Sequence, residues 1–265
     1  MLLSPTMEKL RQMKLTGMAE GLEEQQKQKS YEKLVFEERL GHLVDKEKDL
    51  RENKKLTGRL ARAKLKQEAS LEDINYAHVR GLDRTLIRKL STCDWIKGHH
   101  NLVITGLTGV GKSFIACALA HKACLDGYTS LYLRAPRLFT DLETAKADGR
   151  YQRVLQGMAK VDLLIIDDWG LSKLNAREER ELLEVMEDRY ELKSTIFASQ
   201  VPVRDWHELI PNKTIADAIL DRVVHNSYRI ELNGESLRKE KNKTTASSKK
   251  DEKEKEENGY EKVVL

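Results

Sequence analysis

Residues 106–113 read Gly-Leu-Thr-Gly-Val-Gly-Lys-Ser and directly follow a short apolar run at 102–105. Such a run is typical of a strand buried on both faces, and a helical pattern over 112–126 comes next. Glycines let the backbone curl so that successive N–H groups point inward, and a helix N-terminus adds further donors. This strand–loop–helix unit predicts a phosphate-binding loop within an α/β fold.

The rest of the central region repeats the alternation of strand and helix. Short apolar or β-branched runs predict four more strands, at 130–133, 163–167, 194–199 and 228–232. Amphipathic segments predict helices at 112–126, 136–160, 176–192 and 213–226. Alternation of this kind predicts a parallel sheet flanked by helices, as in P-loop NTPases, and we assign it to a domain of residues 91–238.

The flanking regions have a different composition. Residues 1–90 contain one proline, Pro5, and are rich in Glu, Lys, Leu, Gln and Arg, so we predict continuous helix and an all-helical N-terminal domain. Residues 239–262 have almost no apolar side chains, which predicts a solvated, disordered tail over 239–265.

The glycine-rich loop predicts specific ligands for ATP. Lys112 would reach the β- and γ-phosphates, and the Ser113 hydroxyl would join a Mg²⁺ ion. The alternative is a glycine-rich turn with a purely structural role. The predicted nucleotide-binding residues are Gly106, Leu107, Thr108, Gly109, Val110, Gly111, Lys112, Ser113 and Phe114.

Two carboxylates end the predicted strand at 163–167, in the run Leu-Leu-Ile-Ile-Asp-Asp. Asp167 is suited to hold Mg²⁺, and Asp168 to polarise the attacking water as a catalytic residue. Aspartates also cap strand ends without any catalytic role. One strand lies between this run and the phosphate-binding loop in sequence, which leaves room in the sheet for an inserted sensor strand.

The strand at 194–199 is the candidate for that insertion, with Ser199 or Gln200 able to touch the γ-phosphate or its water. A polar strand end before Pro202 is the alternative. Arg222, in a later helix, could act on the nucleotide of a neighbouring copy, or could pair with a surface carboxylate. Arg238 is a further candidate for a nucleotide contact.

A run of basic residues with no acid precedes the central domain. On a helix, four of its members fall at i, i+4, i+7 and i+11 and form one stripe, which suits contacts with DNA phosphates. A solvated helix face is the alternative. The predicted DNA-binding residues are Lys54, Lys55, Arg59, Arg62 and Lys66.

Composition sets limits on the environment. The formal net charge is only +4, and three cysteines form no CxxC pair. No run approaches the roughly 18 apolar residues of a membrane span, and the first residues lack a signal-peptide core. We therefore expect a soluble protein of the cytoplasm with no membrane partner.

Taken together, GLTGVGKS, LLIIDDWG, STIFASQVPVRDWHE and ADAILDRVVHNSYRIELNGESLRK resemble the IstB family of bacterial insertion sequences. The resemblance runs from about residue 31 to 239. That family is related to the helicase loader DnaC within the AAA+ ATPases of the ASCE type. The resemblance implies an ATPase that self-associates with ATP on duplex DNA, in the nucleoid, and helps a transposase choose its target.

By position, the resemblance makes Asp167 the Walker B aspartate, Gln200 the sensor and Arg222 the arginine finger. The sequence departs from the wider superfamily at Asp168, where Glu is usual, and this puts the hydrolysis rate in doubt. Three other functions stay open: a DnaC-like helicase loader, a small-molecule P-loop kinase, and a binding module that uses ATP only as a structural switch. The kinase would need an arginine-rich lid, which the sequence does not indicate.

Overall fold

The computed structural model of the chain describes residues 3–76, 81–234 and 236–237. Contacts divide the chain into two compact units, Met1–Ala61 and Arg62–Leu265. This division falls earlier than the boundary predicted at residue 90, because Ala69, Ile74 and Leu90 are buried in the core of the second unit. Arg238 and the predicted tail at 239–265 lie outside the described residues.

The first unit is helical, but the predicted uninterrupted helix over 1–90 is wrong. The chain turns through the left-handed region at Lys14, with φ of 59°, and again at Lys64, with φ of 50°. Residues 64–76, which already belong to the second unit, contain no helix, and their apolar side chains are buried in that unit's own core, where burial outweighs helix propensity. The helices are α1 Leu3–Gln12, α2 Thr16–Lys27, a 3-10 helix Lys29–Lys33 and α3 Phe36–Ala63.

A buried carboxylate joins α2 to α3. Glu47 on α3 accepts hydrogen bonds from the backbone N–H groups of Gly17 (2.7 Å) and Met18 (3.2 Å) at the start of α2. Burial opposes ionisation of Glu47, but Arg51 and these two amides outweigh it and lower its pKa. Any side chain at Gly17 would meet the Glu47 backbone at 2.7 Å, so the helices can approach this closely only at a glycine.

The second unit is built on a parallel sheet, as predicted. Its strands lie in the order β2-β3-β4-β1-β5, so β4 is inserted between β1 and β3. All four strand pairs are parallel. The strands are β1 Asn101–Gly106, β2 Ser130–Arg134, β3 Leu163–Trp169, β4 Ser194–Ser199 and β5 Ser227–Leu232.

Helices cover both faces of this sheet. The helix predicted over 136–160 is two helices, because the chain turns at Gly149, whose φ is 75°. The helices are α4 Arg84–Ser91, α5 Asp94–Lys97, α6 Lys112–Leu125, α7 Ala135–Ala147, α8 Tyr151–Lys160, α9 Glu178–Arg189, a 3-10 helix Val203–Leu209 and α10 Lys213–Val224. Among the described residues, none of the helices combines the length and the apolar character needed to cross a membrane.

Side chains alternate between the two faces of the sheet. Leu102 and Ile104 pack in one apolar core with α6, whereas Val103 packs in the other core with α7 to α10. Because all strands are parallel, their first residues share one edge, the amino edge, and their last residues share the opposite edge, the carboxyl edge. Loops at the carboxyl edge are the usual location of ligand sites in such sheets.

Candidate nucleotide-binding site

The loop between β1 and α6 has a backbone that requires glycine. Gly106 has φ of 146°, and a Cβ there would lie 2.3 Å from the Leu232 carbonyl oxygen of β5. Gly109 has φ of 86°, and its Cβ would lie 2.0 Å from the Ser236 hydroxyl. Both positions therefore combine a left-handed conformation with close packing, which only glycine permits.

Lys112 begins α6 and folds back over this loop. Its Nζ donates to the carbonyl oxygens of Gly106 (2.7 Å) and Leu107 (2.8 Å). The residue is only 8% exposed. The ammonium group is thus held over the loop, among the backbone groups that would surround phosphate oxygens.

Asp167 is the most buried acid of the site, at 1% exposure. Its Oδ2 accepts from the Ser113 hydroxyl at 2.6 Å and from the Tyr132 hydroxyl of β2. Lys66 Nζ lies 3.4 Å from the same oxygen. The carboxylate therefore links the phosphate-binding loop, two strands and the segment that follows α3.

This arrangement shifts two pKa values in opposite directions. Burial raises the pKa of Asp167, but hydrogen bonds from Ser113 and Tyr132, the Asp168 amide and the charge of Lys66 outweigh it, and the net pKa is lowered. Burial and donation to Asp167 both raise the pKa of Tyr132. At neutral pH the site consequently holds an ionised carboxylate and a neutral phenol.

Asp168 has an unfavourable backbone conformation. Its φ is 58°, and the pairing between β3 and β4 is irregular between Ile166 and Trp169. The Asp168 amide donates to Asp167 Oδ1 at 2.8 Å, and its carboxylate accepts from Arg134 Nε at 2.7 Å. Left-handed residues other than glycine cluster at functional sites, where the surrounding structure holds them in place.

The two sensor candidates at the end of β4, Ser199 and Gln200, have different partners. Ser199 is fully buried, and its hydroxyl donates to the Trp169 carbonyl oxygen at 2.8 Å. Gln200 faces the phosphate-binding loop, where its Oε1 accepts from the Thr108 hydroxyl at 2.7 Å. Of the two, only Gln200 is directed towards the loop.

A cavity of about 350 Å³ lies at this edge of the sheet. Twelve residues line it: eight that the sequence predicts to bind or act on the nucleotide, and four for which the sequence predicted no such role. The predicted residues are Thr108, Gly109, Gly111, Lys112, Ser113, Phe114, Asp168 and Gln200, and the additional ones are Lys66, Gln67, Arg134 and Leu237.

Three predicted nucleotide-binding residues lie outside the cavity lining. Val110 is 1% exposed, and its side chain packs in the core beside α6, so only its backbone is available to a phosphate. Gly106 and Leu107 line a neighbouring cavity, next to Arg204 and Arg229. Arg134 could have been found from the sequence, because it ends β2 and parallel strands end at a common edge.

Arg222 lies at the amino edge, away from this cavity. Its carbonyl oxygen accepts from Asn101 Nδ2 at 2.9 Å, at the first residue of β1. Its guanidinium donates to the Ala218 carbonyl oxygen at 2.8 Å and pairs with Glu187 at 3.2 Å. Within one chain Arg222 does not reach the phosphate-binding loop, and its action on a neighbouring copy stays a prediction.

The predicted basic stripe needs one correction. Lys54, Lys55, Arg59 and Arg62 lie on α3, but Lys66 does not, because α3 ends at Ala63 and Lys64 turns the chain. Lys66 instead lines the cavity and pairs with Asp167. The predicted place of Lys66 on a helical stripe is therefore wrong, and its contact with DNA stays a prediction.

The residues present fit a Mg²⁺–nucleotide. Mg²⁺ prefers oxygen ligands, keeps most of its waters and takes one or two ligands from the protein beside the phosphates. Ser113 and Asp167 supply such oxygens within 2.6 Å of each other. Among the described residues no cluster of three or more His, Cys, Asp or Glu side chains offers an alternative metal site.

A parallel sheet with an inserted β4, a phosphate-binding loop after β1 and Asp167 at the end of β3 defines a P-loop NTPase of the AAA+ class. The fold agrees with the crystal structure of the DnaC helicase loader, with a TM-score of 0.54 and 20% identity. That match covers 62% of this chain and 97% of the loader.

The chain belongs to the family of IstB-like ATP binding proteins, whose model matches residues 8–246. It is 52% identical to a putative insertion sequence ATP-binding protein of Sinorhizobium fredii, over 90% of this chain and 98% of the relative. It is 31% identical to the insertion sequence IS21 putative ATP-binding protein of Pseudomonas aeruginosa, over 91% of both chains.

Proposed function

We propose that this protein is a Mg²⁺-dependent ATPase whose nucleotide state controls its self-association on duplex DNA, in the bacterial cytoplasm and nucleoid, where it assists a transposase in target selection. The observation that carries the proposal is the convergence of Lys112, Ser113, Asp167, Asp168 and Gln200 at one edge of the sheet. The insertion-sequence names of its relatives support the transposition context.

Each residue at the cavity has a chemical role in this proposal. Lys112 neutralises charge on the β- and γ-phosphates, and the loop amides hold the same oxygens. Ser113 and Asp167 would hold Mg²⁺, which would supply positive charge to neutralise the phosphates. Asp168 orients the attacking water, and Gln200 positions the γ-phosphate.

Arg222 has a role in hydrolysis under this proposal only if copies assemble. An arginine at the amino edge cannot act on its own nucleotide, so it would have to leave Glu187 and reach the site of a neighbouring copy. Such an arginine typically accelerates hydrolysis by ~10³ to 10⁵. Hydrolysis would then be fast only between assembled copies.

Helix α3 supplies the basic surface for DNA. Lys55, Arg59 and Arg62 lie on one face of α3, since they are four and three residues apart. Contacts with phosphates would give binding that tolerates sequence and falls with salt. Substituting Arg59→Glu and Arg62→Glu should abolish binding to duplex DNA while ATP affinity is retained.

The decisive experiment is electron microscopy with duplex DNA, with ATP and without nucleotide. We expect ordered assemblies on DNA only with ATP, and Asp168→Asn should trap them. The double variant Arg153→Glu and Lys160→Glu on α8 is the control with the same charge change on two exposed residues. Monomers on DNA that ignore ATP would contradict the proposal, as would equal loss in the control.

A DnaC-like helicase loader is the second candidate, favoured by the shared fold alone. It would use the same ATP site but bind a replicative helicase directly. A pull-down with purified transposase and purified replicative helicase separates the two functions. Retention of helicase without transposase would favour the loader.

A further inference from the structure

The ammonium group of Lys66 lies beside Asp167, where a Mg²⁺ ion would also bind. Its Nζ lies 3.4 Å from Asp167 Oδ2, the oxygen that also accepts from Ser113 at 2.6 Å. Lys66 is thus a cation beside the two side chains that fit Mg²⁺. A carboxylate as buried as Asp167 requires such compensation.

The segment around Lys66 is anchored, whereas its side chain is not. The backbone N–H groups of Lys66 and Gln67 face the Cys117 thiol, one turn along α6 from Ser113, and partly offset the rise in its pKa that burial causes. Ala69 and Ile74 then bury this segment in the core. The Lys66 side chain, by contrast, is 34% exposed, so it can leave Asp167 for solvent without moving its backbone.

A second cation at the same oxygen would repel Lys66. Two positive groups within about 4 Å of each other interact unfavourably even near a protein surface. Mg²⁺ carries twice the charge of an ammonium group and binds carboxylate oxygen directly or through water. The divalent ion and Lys66 therefore compete for Asp167.

We propose that Lys66 is the resident counter-ion of Asp167 in the nucleotide-free chain and is displaced when Mg²⁺–nucleotide binds. Lys66 lies only three residues after the end of α3. Replacement of Lys66 by Mg²⁺ at Asp167 would therefore change the contacts of the segment that directly follows α3. This inference rests on the proposed Mg²⁺–nucleotide site and assigns Lys66 a positioning role there.

The test is a Mg²⁺ titration of the binding of a fluorescent ATP analogue. Lys66→Met removes the competing charge, so half-saturation should need roughly 3- to 10-fold less Mg²⁺, an effect typical of one partly exposed ion pair. Lys66→Arg keeps the charge and should need as much Mg²⁺ as the natural chain. Lys97→Met, at an exposed lysine outside the cavity lining, should also leave the titration unchanged.

A second readout is thermal unfolding, which does not depend on activity. Lys66→Met should lower the melting temperature without nucleotide, and the difference should disappear with saturating Mg²⁺–ADP. Weaker nucleotide binding by Lys66→Met would overturn the proposal and make Lys66 a phosphate ligand. An unchanged Mg²⁺ requirement would overturn it too. If the natural chain itself binds no nucleotide, the proposed function fails first.

Discussion

The two edges of the parallel sheet both carry buried charge, but they differ in what surrounds it. At the amino edge, Arg189 is 1% exposed, and the cavity beside it measures about 10 Å³. At the carboxyl edge, Asp167 is equally buried, yet the cavity beside it measures about 350 Å³. The amino edge is closed around its charge, whereas the carboxyl edge leaves room for a ligand.

The partners of the two charges explain the difference. Arg189 donates to the carbonyl oxygens of Met158, Val161 and Ser194 and to the Thr195 hydroxyl, all fixed by the ends of strands and helices. Burial lowers the pKa of Arg189 to about 9, so the group is still charged at neutral pH. Asp167 is paired with the hydroxyls of Ser113 and Tyr132 and with a lysine whose side chain is partly exposed. We call the amino edge the rigid edge, because the partners of Arg189 are fixed parts of the fold. We call the carboxyl edge the exchangeable edge, because Lys66 at Asp167 can be replaced by another cation.

The largest expected effect tests the rigid edge. Arg189→Met should lower the free energy of unfolding of the second unit by about 3–5 kcal/mol, because buried carbonyl groups lose their donors. ATP affinity should be retained at temperatures where the variant is folded. Urea unfolding followed by tryptophan fluorescence measures this, since Trp95, Trp169 and Trp206 all lie in this unit. Arg180→Met, at an exposed arginine of α9, is the control and should change little.

The next effect tests the exchangeable edge. Lys112→Ala should weaken ATP binding at least ~100-fold, or about 2.7 kcal/mol, because the phosphates lose their main cation. The free energy of unfolding should change much less. Isothermal titration calorimetry with ATP measures the affinity, with Lys122→Ala further along α6 as the control. A loss of stability that matches the loss of affinity would mean that this edge is as structural as the other.

A smaller effect distinguishes the donors of Asp167. Tyr132→Phe should lower the free energy of unfolding by about 1–2 kcal/mol at neutral pH, because a buried carboxylate loses a hydrogen bond. The folded-state pKa of Asp167 is lowered, so its contribution is complete above the ordinary value of 3.8 and is lost as pH falls through the lowered value. The deficit of the variant should therefore shrink in urea titrations taken below pH 3.8.

Tyr151→Phe provides the matched control for that measurement. Tyr151 donates to Glu184 at 2.6 Å, but this carboxylate is less buried than Asp167. Its removal should cost less than about 1 kcal/mol. Equal losses in the two variants would show that burial of Asp167 does not set the size of the effect.

The smallest expected effect concerns backbone strain. Asp168→Gly should raise the free energy of unfolding by about 0.5 kcal/mol, because glycine adopts a φ of 58° without strain. Asp168→Asn keeps the strain and weakens only the largely exposed pairing with Arg134, so it should lower stability by less than about 1 kcal/mol. Under the proposed function both variants should lose ATP hydrolysis by roughly 100-fold or more, measured as phosphate release. A stabilised glycine variant with full hydrolysis would remove Asp168 from the proposed chemistry.

Much of the central domain followed from sequence pattern. The five strands and the phosphate-binding loop were predictable, because continuous apolar runs and glycine spacing act locally. The order of the strands is not local, and the structure places β4 where the sequence left room for an inserted strand. Lys112, Ser113 and Asp168 line the cavity as expected, and Asp167 lies directly behind them. The helical unit was predictable in type but not in its breaks, since Lys14 and Lys64 turn the chain without a glycine or proline signal.

The sequence by itself determined the phosphate-binding loop, because the positive φ angles of this short segment require glycine at 106, 109 and 111. Only the tertiary structure decided what Asp167 meets. Tyr132, Lys66 and Ser113 are far apart in the chain, and it is strand order and core packing that bring them to one carboxylate oxygen. Helical periodicity assigned Lys66 to a DNA-binding face, whereas in the structure the helix has ended before Lys66, Ala69 and Ile74 are buried, and Lys66 lines the candidate nucleotide cavity.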